Sequence, residues 1–233
     1  FLTPVLHSYI LVVLVSGCAN GPHKKVGPSA LYEDSLAIQS IIGSNSATDS
    51  IDEVRSRKAK IAWYLTSKST LIPPDSMTPT MQKALDIAMK DTAFTQFLKY
   101  NNRPILCEVF SIYPIKPGDL TIKASPFIYK IEVYNFARNA AILAFADLEQ
   151  KKLLSVRQVD QAQPDIPPSL QKIALAIAIK SPEVKAALGY TPTEGNAQMA
   201  STKTSLNKTN CERRRHLCVA PTFVQGDKAL WVI

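Results

Sequence analysis

Histidine is nearly missing from this chain: 233 residues hold three, His7, His23 and His216. A metal centre built on several imidazoles has almost nothing to draw on, so no metal and no cofactor is expected. Glycine is sparse at 8, and no Gly-x-Ser-x-Gly elbow exists to mount a serine nucleophile. His216, flanked by Arg213, Arg214 and Arg215, would have its imidazolium disfavoured by like charge, which makes a hydrolase reading poor. Long apolar runs are also absent. The run Tyr9-Ile-Leu-Val-Val-Leu-Val15 falls well short of the ~20 residues that cross ~30 Å of hydrocarbon. Charged residues make up 20% and hydrophobic ones 46%, which excludes bulk disorder and a polytopic membrane protein alike. Lys and Arg exceed Asp and Glu by 27 to 19, a net charge of +8 and a pI near 9.3. That balance favours anionic surfaces in general, and no nucleic-acid partner is inferred from it.

What is present at the N-terminus is an address. The short apolar run closes on Val15-Ser16-Gly17-Cys18, with small residues where a signal peptidase accepts them. This segment resembles the lipobox of bacterial lipoproteins, which implies a signal peptide over 1–17 and Cys18 as the acylated first mature residue. Each buried acyl methylene contributes ~0.8 kcal/mol, so several chains on Cys18 would hold the protein at a membrane leaflet. The expected location is the bacterial cell envelope, facing periplasm or exterior. Residues 18–28 read as a flexible tether. The chain opens on Phe1 and closes on Ala-Leu-Trp-Val-Ile233; both ends read as cut, and a further C-terminal stretch is expected.

Beyond Cys18 the cysteines are Cys107, Cys211 and Cys218. An oxidising compartment favours a local disulfide between Cys211 and Cys218 over two free thiols, while Cys107, inside an apolar run, reads as a small buried hydrophobe. Arg213, Arg214 and Arg215, with Lys203 and Lys208, are a candidate anion or headgroup contact, set against the plain alternative of a solvated basic loop.

Residues 29–75 read as a helical N-terminal segment: Ser29 to Gly43, then a helix from Ser50 with a capping box to Glu53 and a solvated basic face of Arg55, Arg57, Lys58 and Lys60. A repeat follows. Thr78-Pro79 opens a helix, and Ala84-Leu-Asp-Ile-Ala-Met-Lys-Asp-Thr-Ala-Phe-Thr-Gln-Phe-Leu98 aligns with Ala174-Leu-Ala-Ile-Ala-Ile-Lys-Ser-Pro-Glu-Val-Lys-Ala-Ala-Leu188. In both, a lysine precedes a capping residue, Asp91 or Ser181, so each copy is expected to be a helix that breaks and restarts. Between the copies the period falls to 2. Ile105 to Tyr113, Phe127 to Val133, Ala141 to Ala146 and Leu153 to Val159 read as strands of an antiparallel meander, with a turn at Arg138-Asn139. After the second copy come a loop from Thr191 to Lys208, a strand from His216 to Val224, a turn at Gln225 to Asp227 and a returning strand. The fold class is therefore α+β, with a first helix-on-sheet unit over 76–162 and a second over 163–233.

A duplicated helix over an antiparallel meander resembles the small cystatin-like domains that precede the catalytic sandwich of copper amine oxidases. The stretches from Ala140 to Val156, Gln163-Pro-Asp-Ile-Pro-Pro168 and His216 to Ile233 are similar to bacterial exported proteins described as a tyramine oxidase accessory subunit. Catalysis in that enzyme family needs a topaquinone from a tyrosine in an Asn-Tyr-Asp/Glu setting and three copper-binding histidines. This sequence carries neither, and Tyr134-Asn135 has the order reversed. The resemblance implies tandem cystatin-like units in a non-catalytic envelope lipoprotein, a binding or assembly module beside an amine oxidase. The alternative is the N-terminal fragment of a quinone-dependent copper amine oxidase.

Overall fold

A computed structural model describes residues 51–67, 71–100, 103–119, 125–160, 162, 164–199, 217–225 and 228–232. They divide into two units, one running to Ser169 and including Leu217, the other made of the described residues from Leu170 to Met199 and from Cys218 onward. Both are α+β, as the change of period along the sequence requires.

The first unit begins with α1, Asp52–Thr66. Its N-cap is Ile51, with no side-chain hydrogen bond to the first turn; Ser50, the expected cap, lies outside the described residues. Helix α2, Pro79–Lys90, starts as the sequence predicts: the Thr78 hydroxyl accepts from the Met81 N–H at 3.2 Å, and Pro79 occupies the first turn, where its missing donor costs nothing. It ends at Asp91, whose carboxylate accepts from the Ala93 N–H at 2.8 Å and so caps the short α3, Thr92–Thr95. One residue thus stops one helix and starts the next, and a 3-10 turn, Gln96–Leu98, carries the chain out.

Two short strands, β1 (Lys99–Tyr100) and β2 (Arg103–Pro104), pair with each other. The main sheet follows as β3 (Cys107–Pro114), β4 (Ile128–Asn135), β5 (Ala140–Asp147) and β6 (Lys152–Asp160), in sequential antiparallel order. Two connections are set by local chemistry. Asn139 takes φ +47, a left-handed conformation that asparagine tolerates, and turns β4 into β5. Asp147 accepts from the N–H groups of Glu149 and Gln150, both at 2.9 Å, and turns β5 into β6.

One sheet face presents Cys107, Val109, Ile131, Val133, Ile142 and Ala144 to Ala84, Leu85 and Ala88 of α2 and to Phe94 and Leu98 beyond the break. The other face buries Ile115, Ile128, Ala141, Leu143 and Phe145. β5 is buried along its whole length, which explains why its sequence is almost continuously apolar instead of alternating.

The second unit repeats the broken helix. Helix α4, Pro168–Lys180, is followed by α5, Pro182–Leu188, whose cap is the Ser181 hydroxyl accepting from Val184 N–H at 3.2 Å. Gly189 closes α5 at φ +75, a conformation that suits glycine, and its N–H donates to the Lys185 carbonyl at 2.9 Å. The sheet is three-stranded: β7 (Ala197–Met199), β8 (Pro221–Gln225) and β9 (Lys228–Trp231), all antiparallel. β7 corrects the loop expected over Thr191 to Lys208: within that polar stretch Ala197, Gln198 and Met199 form a strand through backbone pairing to Pro221–Phe223, too short for a period to announce it. Ala178 and Val184 pack against Phe223 and Val232. Ala88 and Ala178, Asp91 and Ser181, and Phe94 and Val184 stand at matching places in the aligned stretches. Each pair plays the same part, burial against a sheet or capping at the break.

Candidate functional site

Cys18, Cys211, Arg213, Arg214, Arg215 and His216 lie outside the described residues, as do Lys203 and Lys208. Cys218 is buried in the second unit and is engaged rather than free. Cys107 is free and fully buried in the first-unit core. Burial pushes its thiol up to about 12, so thiolate is scarce there at neutral pH and the residue packs instead of reacting.

The described residues do bring together one polar group that sequence patterning missed. Arg57 of α1, read as part of a solvated basic face, instead reaches Glu108 on β3. Its Nη1 donates to Oε1 at 2.7 Å and its Nη2 donates to Oε2. The side chains are only 13% and 3% exposed. Lys60, one turn further along α1, pairs with Asp75 at 2.8 Å, and Lys60 first of all holds the Asp75 carboxyl below its ordinary value. A signal was available: Glu108 is a single acid within Ile105-Leu-Cys-Glu-Val-Phe110, and a buried carboxylate needs a partner.

A second polar pair lies inside the aromatic cluster of the same sheet. Tyr134 is buried and stacks on Phe110 at 5.2 Å between centroids, with Phe136 edge-on at 5.0 Å. Its hydroxyl donates to Asn139 Oδ1, and burial holds its pKa above the usual tyrosine range. The bond spans the β4–β5 turn, so it fixes the left-handed residue instead of presenting a phenol to a substrate. Asn135, next in the chain, donates from Nδ2 to the Phe97 carbonyl at 3.1 Å and accepts from the Arg138 N–H at 3.0 Å. Tyr134 and Asn135 thus both work as structural ties. At the far end of the sheet Lys130 faces Asp119 at 3.5 Å and lies over the Tyr113 ring. Burial opposes its charge, but Tyr113, Glu132 and Asp119 outweigh that and keep its pKa above the ordinary lysine value.

Among the described residues no group of three or more His, Cys, Asp or Glu is placed to hold a metal ion, and no helix is long and apolar enough to cross a membrane. The exposed large apolar side chains include Trp63 on the outward side of α1 and Val224 and Trp231 on the β8–β9 hairpin. No protein-family model matches the chain, and no curated protein matches it.

Proposed function

We propose that this chain is a non-catalytic lipoprotein of the bacterial envelope, whose paired cystatin-like α+β units serve as a binding or assembly module accessory to an amine oxidase. One observation carries the reading. The broken helix recurs with the same parts, a capping residue after the lysine and a buried apolar residue three positions on, and each copy packs on an antiparallel sheet. Such a layered pair offers firm surfaces on a scaffold; the polar pairs inside it are spent on holding turns and helices in place. The lipobox supports the address, with Cys18 as the acylated residue and residues 18–28 as the spacer that lets the units stand off the membrane. The engaged state of Cys218 is consistent with its pairing to Cys211, which would pin the segment leading into β8. Arg213, Arg214 and Arg215, between those cysteines, would then be presented together as an anion contact at the membrane surface or on a partner.

The test is the full reading frame expressed in a bacterial host with an envelope. Wild-type protein is expected in the membrane fraction with the added mass of acyl chains, and Cys18→Ser is expected to lose both. Antibody capture from the native organism should bring down an amine oxidase. Recovery of soluble, unacylated mature protein would sink the anchor. A reading frame that runs on past Ile233 into Asn-Tyr-Asp/Glu and His-x-His would replace the accessory role by the front end of the enzyme itself.

A further inference from the structure

β9 stands in the second sheet where β5 stands in the first. Each runs antiparallel to the strand before it and sends alternate residues to its broken helix, Ile142 and Ala144 in one, Leu230 and Val232 in the other. On that match Ala229 takes the place of Ala141, and Trp231 that of Leu143. The places differ in what lies beyond them. β5 has β6 on its far side, with Val159 opposite Ala141 and Arg157 opposite Leu143, and the two β5 residues are only 2% and 8% exposed. β9 is the last strand of its sheet. No described residue pairs with its far side, Trp231 is 38% exposed, and Ala229 is exposed with it.

Backbone groups are open there as well as side chains. The Val232 N–H donates to the Pro221 carbonyl at 2.9 Å. Bonding residues alternate along an antiparallel pair, so Leu230 faces β8 too, and Ala229 and Trp231 turn their N–H and C=O groups outward. Val224, opposite Ala229 and 46% exposed, continues the apolar surface inward from that edge. Bare edges in natural sheets are blunted by proline, bulges or charges. β9 pairs without a bulge and has no proline, and a single lysine at its start is its one charge.

We propose that this edge is the contact of the binding module described above, on which reading it rests. An extended segment of a partner protein is added there antiparallel as a fourth strand, with the chemistry of β6: apolar opposite Ala229, basic opposite Trp231 and acidic opposite Lys228. The first sheet supplies the template. Carried over from β5, Val159 falls opposite Ala229 and Arg157 opposite Trp231, while Asp160, which pairs with Ala140, falls opposite Lys228. A valine covers the small residue, a guanidinium gains a cation–π contact with the indole, and a carboxylate complements the one charge on β9. A second copy does not meet these terms. β9 carries no acid to set against Lys228, and two four-residue edges fall far short of the roughly 1,200–2,000 Å² that a stable dimer buries.

The experiment uses the full chain and a capped peptide, Ser-Val-Arg-Gln-Val-Asp, the sequence of residues 155–160. Amide exchange is read at Ala229 and Trp231, with Phe136, which donates to the Leu106 carbonyl at 3.2 Å, as the control in the first sheet. The peptide should bind with a Kd of about 0.1–1 mM and, at saturation, slow exchange at Ala229 and Trp231 about fivefold or more with Phe136 unmoved. A peptide with proline in place of its second valine lacks the N–H opposite Ala229 and should lose the effect. Trp231→Ser should weaken binding about threefold or more. Unchanged exchange at both amides would overturn the assignment, and so would equal slowing by the proline peptide. Amides already protected in the dilute free chain would show the edge filled by the chain itself, and protection that grows with the chain's own concentration would show a second copy there; either result overturns the partner strand. An amine oxidase captured from the native organism while the peptide leaves both amides unmoved would strike this edge alone. A bound peptide with no enzyme captured would strike the amine oxidase and spare the edge.

Discussion

Phe94 is the side chain on which the break in the first helix depends. Helix α3 is a single turn, too short to persist on hydrogen bonding alone, and its attachments are the Asp91 cap and the fully buried Phe94 ring. Phe94→Ala removes that ring from a core containing Leu85, Ala88, Leu98 and Val133. The surrounding groups stand on a sheet and a helix that cannot fully collapse into the space, so the loss should approach the usual range for a buried aromatic, about 3–5 kcal/mol. Against a typical domain stability of roughly 5–15 kcal/mol this is a large fraction. Urea unfolding followed by tyrosine fluorescence and far-UV dichroism should show the first unit's midpoint falling by about 2 M at an unchanged slope of roughly 2 kcal/mol/M. Phe127→Ala, at a side chain 50% exposed, serves as the reference and should cost under about 1 kcal/mol. A Phe94→Ala variant within 1 kcal/mol of wild type would refute the packing described for α3.

Tyr134→Phe leaves Asn139 Oδ1 buried without its donor and should cost about 1–3 kcal/mol, measured by denaturant unfolding. Asn139→Gly keeps the left-handed turn and loses only the bond, so it should be milder than Asn139→Val, which also forbids φ +47. Cys107 should resist thiol reagents in the native protein and react on unfolding. Its folded pKa of about 12 lies above the ordinary value of 9.0, so its contribution is complete below pH 9 and is lost as pH climbs toward 12. Cys107→Ala should flatten that alkaline decline in thermal unfolding. Asp75 has the opposite sign: its folded pKa is depressed, so the support from Lys60 is present above the usual carboxylate range and fades as pH falls through the folded value. Because this pair is largely exposed, Lys60→Ala should cost under about 1 kcal/mol, and less still in high salt.

The helices and the main meander could be read from residues because their signals are local. Thr78-Pro79, Asp91 and Ser181-Pro182 announce helix starts through capping chemistry that acts within three residues. Asn139 marks its turn because few residues accept a positive φ. What escaped the sequence depends on distance along the chain. Arg57 meets Glu108 across 51 positions, and nothing in its own helix distinguishes it from the neighbouring bases. The parallel rung at Ile72 likewise rests on a partner far downstream. β7 escaped for another reason: three residues, Ala197, Gln198 and Met199, are too few to display a period. Phe110, the extra residue where the β3–β4 register shifts, sits on the same aromatic cluster as Tyr134, a placement that simple alternation does not give.

The repeated unit itself is open to one direct measurement, an experimental structure in which the chain from Thr78 to Leu98 is overlaid on that from Pro168 to Leu188. Both should bend at the capping residue, with Ala88 beside Ala178 and Phe94 beside Val184 pressed onto the corresponding face of an antiparallel sheet. A second copy that runs straight through Ser181 as one helix, or that lies away from β8 and β9, would contradict the account.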